Sequence, residues 1–291
     1  MRRWVPVILM TGLLWALPAG CGQAAAGTVS VLYAGSLVNL MEFGLGPAFN
    51  AATGYRFEGV AGGSAAIAHE IKDKLRRADV FISANPQVNT LLMGRDNGDW
   101  VRWYVTFAAS ALVVGYNARS TFAAQFGSRP WYDIMAAPGF RLGRTDPVLD
   151  PKGRLTLELI DRAARHYRRP DLPQAVLGAP DNPAQIFPEE TLVGRLQTGQ
   201  LDAGFFYTIE AAEARIPYIT LPPAITLTAE YTVTILRAAP NRSGALAFAR
   251  FLLGAQGRTV LAQHGLDVLP PRVGGDAAAV PPGLMTPLPG R

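Results

Sequence analysis

Short β-branched or aromatic runs alternate with longer stretches of helical periodicity along most of the chain, the pattern expected of parallel α/β units. The first unit reads as a strand over Val29 to Tyr33, a loop Ala34-Gly35-Ser36 and a helical stretch from Leu37. The second repeats that grammar: strand Tyr55 to Val60, loop Ala61-Gly62-Gly63-Ser64, then an amphipathic helix Ala65 to Leu75 with Ile67, Ile71 and Leu75 on one stripe. A third strand is predicted over Ala78 to Ser83.

Two strand-like runs follow, Trp103 to Phe107 and Ala111 to Tyr116, then a helical Phe122 to Phe126 and an aromatic start at Trp131-Tyr132. Beyond them the pattern predicts strand Phe140 to Gly143, loop Thr145 to Gly153, a long helix from Leu155 to about Tyr167, helix Glu189 to Gln197 and strand Ala203 to Tyr207. A β run from Tyr231 to Leu236 and helices over Gly244 to His264 bring the chain back. The order implies two lobes: residues 28–112 with 230–270 form the first and 113–229 the second. A chain that crosses twice between lobes has a hinge and can close on whatever lies in the cleft.

With 291 residues, 49% hydrophobic and 17% charged, the chain can bury a large core in two lobes, which excludes disorder as its main state. The opening changes the picture. Met1-Arg2-Arg3 followed by the apolar run Trp4 to Leu17 has the form of a secretory signal, expected over residues 1–20. Small residues precede Cys21, the only cysteine, in a pattern similar to a lipoprotein lipidation site, although Pro18 stands where an aliphatic residue is usual and Ala24 to Ala26 offers an ordinary cleavage site instead. One cysteine excludes an internal disulfide and any multi-cysteine metal site. Removing Arg2 and Arg3 leaves 25 basic against 22 acidic residues, too weak and dispersed a balance for nucleic acid. The Pro-, Gly- and Ala-rich tail from Val273 onward reads as a loosely held extension, and residues 271–291 are expected to be flexible.

The two opening loops share one design: a strand ends, a glycine allows tight backbone, and a serine, Ser36 or Ser64, sits at or beside the start of a helix. Serine hydroxyls, free N–H groups of a first turn and the helix dipole together make an anion seat that needs no Lys or Arg. Taken alone, each serine reads more readily as a helix cap, since caps are far commoner than ligand sites. Two equivalent seats at consecutive strand ends, where α/β crevices lie, favour function.

The series Leu32-Tyr33-Ala34-Gly35-Ser36-Leu37, Gly63-Ser64-Ala65-Ala66-Ile67-Ala68 and Ala78-Asp79-Val80-Phe81-Ile82-Ser83-Ala84 resembles the molybdate- and tungstate-binding extracytoplasmic proteins of ABC importers. Trp103 to Ala108, Leu112 to Tyr116, Trp131 to Met135, Asp150-Pro151-Lys152-Gly153 and Gly199 through Gly204 to Tyr207 continue it in order, over about residues 28 to 270, closest to the tungstate/molybdate branch. The resemblance implies an α/β fold of the type II-like periplasmic-binding class, each lobe a mixed sheet flanked by helices, with the ligand in the inter-lobe cleft. It implies Gly35, Ser36, Gly63 and Ser64 as donors from one lobe. From the other it implies backbone N–H groups near Asp150 and Glu189, and the phenol of Tyr207, which brings a donor without a charge. Tyr207 could instead be a core aromatic.

In the branch, two carboxylates reach the metal of the oxyanion. Asp150 matches the first; the second should precede Tyr207, where Phe206 stands. The expectation is therefore tetrahedral binding with Asp150 capping a helix, although Asp150 remains a possible direct ligand, and with Glu210 no obvious replacement. The resemblance further implies a non-enzymatic, cofactor-free, lipid-anchored and extracytoplasmic monomer, with an ABC permease and ATPase as partners and the membrane reached only through the anchor. A receptor for sulfate, phosphate or a carboxylate, or a surface sensor, fits the same lobes. Gly62-Gly63-Ser64-Ala65-Ala66 also lies one residue from a hydrolase nucleophile elbow, which makes Ser64 with an acid and His264 a rival catalytic reading; His69 and His166 look like helix-surface residues.

Overall fold

Alternating Val29, Val31 and Tyr33 are each at most 1% exposed, because the first strand is covered on both edges and both faces. The computed structural model describes Met1 and residues 27–284; the expected signal segment, Cys21 and the last seven positions lie outside the described residues. Strand β1 (Thr28–Ala34) pairs in parallel with β2 (Arg56–Gly62) and β3 (Val80–Ser83). Between β1 and β2 one helical run passes from a 3-10 turn (Gly35–Leu37) through a π-helical segment (Leu40–Leu45) into α1 (Gly46–Thr53). Helix α2 (Ser64–Lys72) joins β2 to β3. Its stripe holds Ile67 and Ile71 but not Leu75, which is 74% exposed, because the helix ends at Lys72 and Lys74 turns the chain with φ of 61°.

The two runs predicted around residue 107 form a single strand, β4 (Trp103–Tyr116), with a register shift between Thr106 and Ala108. This strand joins the two halves of the molecule. Its first part pairs with β8 (Thr228–Ile235) and β9 (Asp267–Gly275); its last part pairs with β6 (Ala203–Tyr207) and β7 (Tyr218–Ile219). The sheet path runs β2-β1-β3-β8-β4-β6-β5, with β5 (Leu142–Gly143) parallel to β6. The second half adds α3 (Trp131–Met135), α4 (Pro151–His166), α5 (Glu189–Gln197) and α6 (Thr208–Glu213). Ala123–Gln125 makes only a 3-10 turn. Helices α7 (Arg242–Leu253) and α8 (Ala255–Gln263) return to the first half, where Phe248 packs edge-on against Phe49.

Part of the segment read as a loose tail has regular structure. Residues up to Gly275 belong to β9, and Leu284 is 4% exposed. Backbone pairing with β4, not side-chain alternation, holds a segment whose Pro and Gly content reads as loop.

Candidate functional site

The turn after β1 buries Ser36, whose hydroxyl lies 3.0 Å from the phenol of Tyr231 on β8. At Gly35 a β-carbon would come within 2.5 Å of Glu189 Cγ, so only glycine lets α5 approach this backbone. The turn after β2 does the same against α4. Gly63 backs onto the Leu149 carbonyl, and the Ala66 N–H donates to that carbonyl at 3.0 Å. Ser64, fully buried, accepts the Ala84 N–H at 3.1 Å, which leaves its own hydroxyl hydrogen free to donate.

From the opposite half come the N-termini of α4 and α5. Asp150 is the N-cap of α4: its Oδ1 accepts the Lys152 N–H and the Thr145 hydroxyl, both at 2.8 Å. Such a cap stabilises by about 1 kcal/mol. Glu189 opens α5, and its side chain is turned inward and buried. Tyr207 ends β6, is fully buried, and its hydroxyl has no hydrogen-bond partner among the described residues. The structure thus brings Gly35, Ser36, Gly63, Ser64, Asp150, Glu189 and Tyr207 to one join between the halves. A cleft of about 370 Å³ runs past Gly63, Asp150 and Glu189, and a smaller one of about 150 Å³ past Gly35, Ser36, Glu189 and Glu210.

The electrostatics depart from an all-donor seat without Lys or Arg. Lys152, the second residue of α4, is fully buried. Its ammonium donates to both oxygens of Glu210 at 2.8 Å and lies 2.9 Å from Glu189 Oε1, in a geometry that leaves that oxygen without a hydrogen bond among the described residues. It also sits 5.3 Å from the centre of the Tyr207 ring. Burial alone would push the lysine down, but Glu189, Glu210 and Asp150 hold it above its ordinary value, so it is a cation. Burial pushes Glu210 up to about 7 against the pull of Lys152, and burial with the charge of Asp150 lifts Glu189 well above the usual carboxylate range.

Glu210, set aside on sequence grounds, is therefore part of the site. One turn beyond Tyr207 it folds back, and its Oε2 accepts the Tyr207 N–H at 2.8 Å. Phe206 packs in the apolar cluster of Val113, Leu192 and Leu196, with the Lys152 ammonium 5.6 Å from the centre of its ring. Sequence reasoning missed Lys152 and Tyr231 as site residues, and neither carries a local signal that would have found it. The hydrolase arrangement is not assembled: Ser64 is engaged by Ala84, His264 pairs with Glu213, and His69 and His166 are exposed.

Two α/β halves joined through β4 and β8, with polar turns facing each other across the join, define a periplasmic-binding-protein fold. The Azotobacter vinelandii periplasmic molybdate-binding protein shares it with a TM-score of 0.63, over 83% of this chain and 99% of that one at 17% identity. The chain belongs to the bacterial extracellular solute-binding proteins, whose family profile matches residues 29–267. A putative ABC transporter molybdenum-binding protein of Haloferax volcanii is 38% identical over 72% of this chain, and the chain spans 65% of that relative's length. A molybdate/tungstate-binding protein of Thermococcus kodakarensis is 29% identical, covering 85% of this chain and 82% of its own.

Proposed function

We propose that the protein is the substrate-binding subunit of an ABC importer and captures molybdate or tungstate outside the cytoplasm, without catalysing a reaction. The names of its relatives support the ligand class. The observation that carries the site assignment is the Tyr207 phenol: a buried neutral donor left unpartnered beside a buried cation, next to two serine turns. Unpaired buried polar groups are rare, and this one suits an anion that would sit within its reach. In this reading Ser36, Ser64, Tyr207 and the N–H groups at the Gly35 and Gly63 turns donate, while Lys152 supplies a fixed positive charge. Asp150, spent on its cap, leaves the oxyanion tetrahedral.

The two halves, residues 28–112 with 230–270 and residues 113–229, act as lobes that close on the ligand and present a joint surface to a membrane permease and its ATPase. A signal segment and lipid attachment at Cys21 would hold the monomer at the membrane face.

Isothermal titration against molybdate, tungstate, sulfate and phosphate tests the assignment. Strong heats are expected with the first two, and equal or tighter binding of sulfate redirects it. Ser36→Ala and Ser64→Ala are each expected to weaken molybdate binding by about 1 to 3 kcal/mol, the effect of leaving a buried acceptor on the anion unpaired. Unchanged dissociation constants in both variants would remove the serine turns from the site.

A further inference from the structure

Ser36 and Tyr231 each carry one hydroxyl hydrogen, and their oxygens lie 3.0 Å apart, so one of the two donates to the other. The direction of that bond decides what Ser36 can do for an anion. If Ser36 donates to the phenol, its only hydrogen is spent inside the protein and its hydroxyl offers an oxyanion nothing but lone pairs. If the phenol donates to Ser36, the serine hydrogen must go to a third acceptor.

The surroundings choose between the two. Tyr231 is fully buried, and burial keeps its phenol protonated. Its hydroxyl has no hydrogen-bond partner other than Ser36 among the described residues. With Ser36 as donor, the phenol hydrogen would therefore be stranded away from water, which buried polar groups rarely tolerate. With Tyr231 as donor, the hydrogen that lacks a partner within the protein belongs to Ser36, which lines the smaller cleft, where an anion or a water can accept it. Ser64 has the same arrangement with a donor that cannot reverse. The Ala84 N–H fills a lone pair of its oxygen at 3.1 Å and leaves the hydroxyl hydrogen to point elsewhere.

We infer that Tyr231 donates to Ser36 Oγ and so aims the Ser36 hydrogen at the bound oxyanion, which makes Tyr231 a positioning residue behind one serine turn, as the Ala84 N–H is behind the other. This rests on the oxyanion-binding function proposed above. Ser36 follows β1 and Tyr231 lies on β8, both in the first half, so the hydroxyl is oriented before the halves meet and little freedom is left to lose on binding. The two buried phenols then have separate tasks. Their rings meet edge-on with centres 6.3 Å apart, but the unpartnered Tyr207 hydroxyl serves the guest directly and that of Tyr231 acts through Ser36.

The test is calorimetric titration of the full chain with molybdate in paired variants. Tyr231→Phe keeps the ring and its packing and removes only the hydroxyl, and it is expected to weaken binding about fivefold to tenfold. In a Ser36→Ala background the same change should cost less than about twofold, because the hydroxyl it orients is gone. In a Ser64→Ala background it should keep its whole effect. A general disturbance of packing would act alike in both backgrounds. A parent that binds molybdate and a Tyr231→Phe protein that binds it equally well overturn the inference and leave the ligand assignment intact. Losses that add in full with Ser36→Ala also overturn it, since Tyr231 would then act on the anion without the serine. A parent that binds none of molybdate, tungstate and sulfate overturns the ligand assignment, and the inference falls with it.

Discussion

Replacing Lys152 by methionine is expected to destabilise the protein by about 3 to 5 kcal/mol at pH 8, the cost typical of removing one partner from a buried ion pair. Methionine fills a similar volume, so the loss is electrostatic. It leaves the buried Glu189 and Glu210 with no cation, at 2.9 and 2.8 Å from where the ammonium stood. The effect depends on pH, with a sign that follows from Glu210. Its carboxyl titrates at about 7 in the fold against 4.5 in the unfolded chain, so the folded state binds the proton more tightly. Stability from this group is fully present below pH 4.5 and is lost as pH rises through 7, a decline of about 3 kcal/mol in the native protein. Without Lys152 the folded carboxyl rises further and the decline continues to higher pH. Denaturant unfolding at pH 5 and pH 8 should therefore show a small difference between variant and parent at the lower pH and the full one at the higher. Adding Glu210→Gln to the methionine variant should recover part of the loss at pH 8, because it removes one of the stranded charges. A loss below about 1 kcal/mol at both pH values would mean that Lys152 does not stand against ionised carboxylates.

That cluster marks the boundary of what the sequence discloses. Helix α5 and strand β6 have the limits that periodicity predicts, Glu189–Gln197 and Ala203–Tyr207, because their apolar stripes and flanking turns are local signals. The Gly-Ser turns are legible for the same reason. Lys152 and Glu210 are 58 positions apart, and neither has a local pattern that separates it from a solvated residue on a helix surface. Burial of both follows from the meeting of α4 with α6, a tertiary event that composition and spacing do not encode. The absence of a carboxylate at Phe206 is visible in the chain, but the meeting of Glu189 and Glu210, from α5 and α6, at the Lys152 ammonium is visible only once those helices are folded against β6. Strand β9 was hidden for a different reason: Asp267–Gly275 contains two prolines and two glycines and has no alternation, so only pairing with β4 makes it a strand.

Gly63→Ala is expected to weaken oxyanion binding by about 100-fold or more, equivalent to about 2.7 kcal/mol, while leaving thermal stability nearly unchanged. Gly63 has φ of −59° and ψ of 128°, a conformation open to any residue, so the substitution introduces no backbone strain. What it introduces is a methyl group 2.7 Å from the Leu149 carbonyl oxygen and 3.2 Å from Asp150 Oδ2. A backbone carbonyl at the start of α4 cannot swing aside as a side chain would, so the two halves cannot meet here. The 3.0 Å hydrogen bond from Ala66 N–H to that same carbonyl is lost with the contact. With the halves apart the methyl faces water, which is why folding is spared and only the closed, ligand-holding arrangement is penalised. Gly153→Ala supplies the contrast. Its methyl would strike the Thr145 carbonyl at 2.4 Å inside one half, so it should lower the melting temperature whether or not ligand is present. Small-angle scattering should show the parent contracting on adding molybdate and the Gly63 variant remaining extended. A Gly63→Ala protein that binds within threefold of the parent would show that the contact between these turns is not needed to hold the anion.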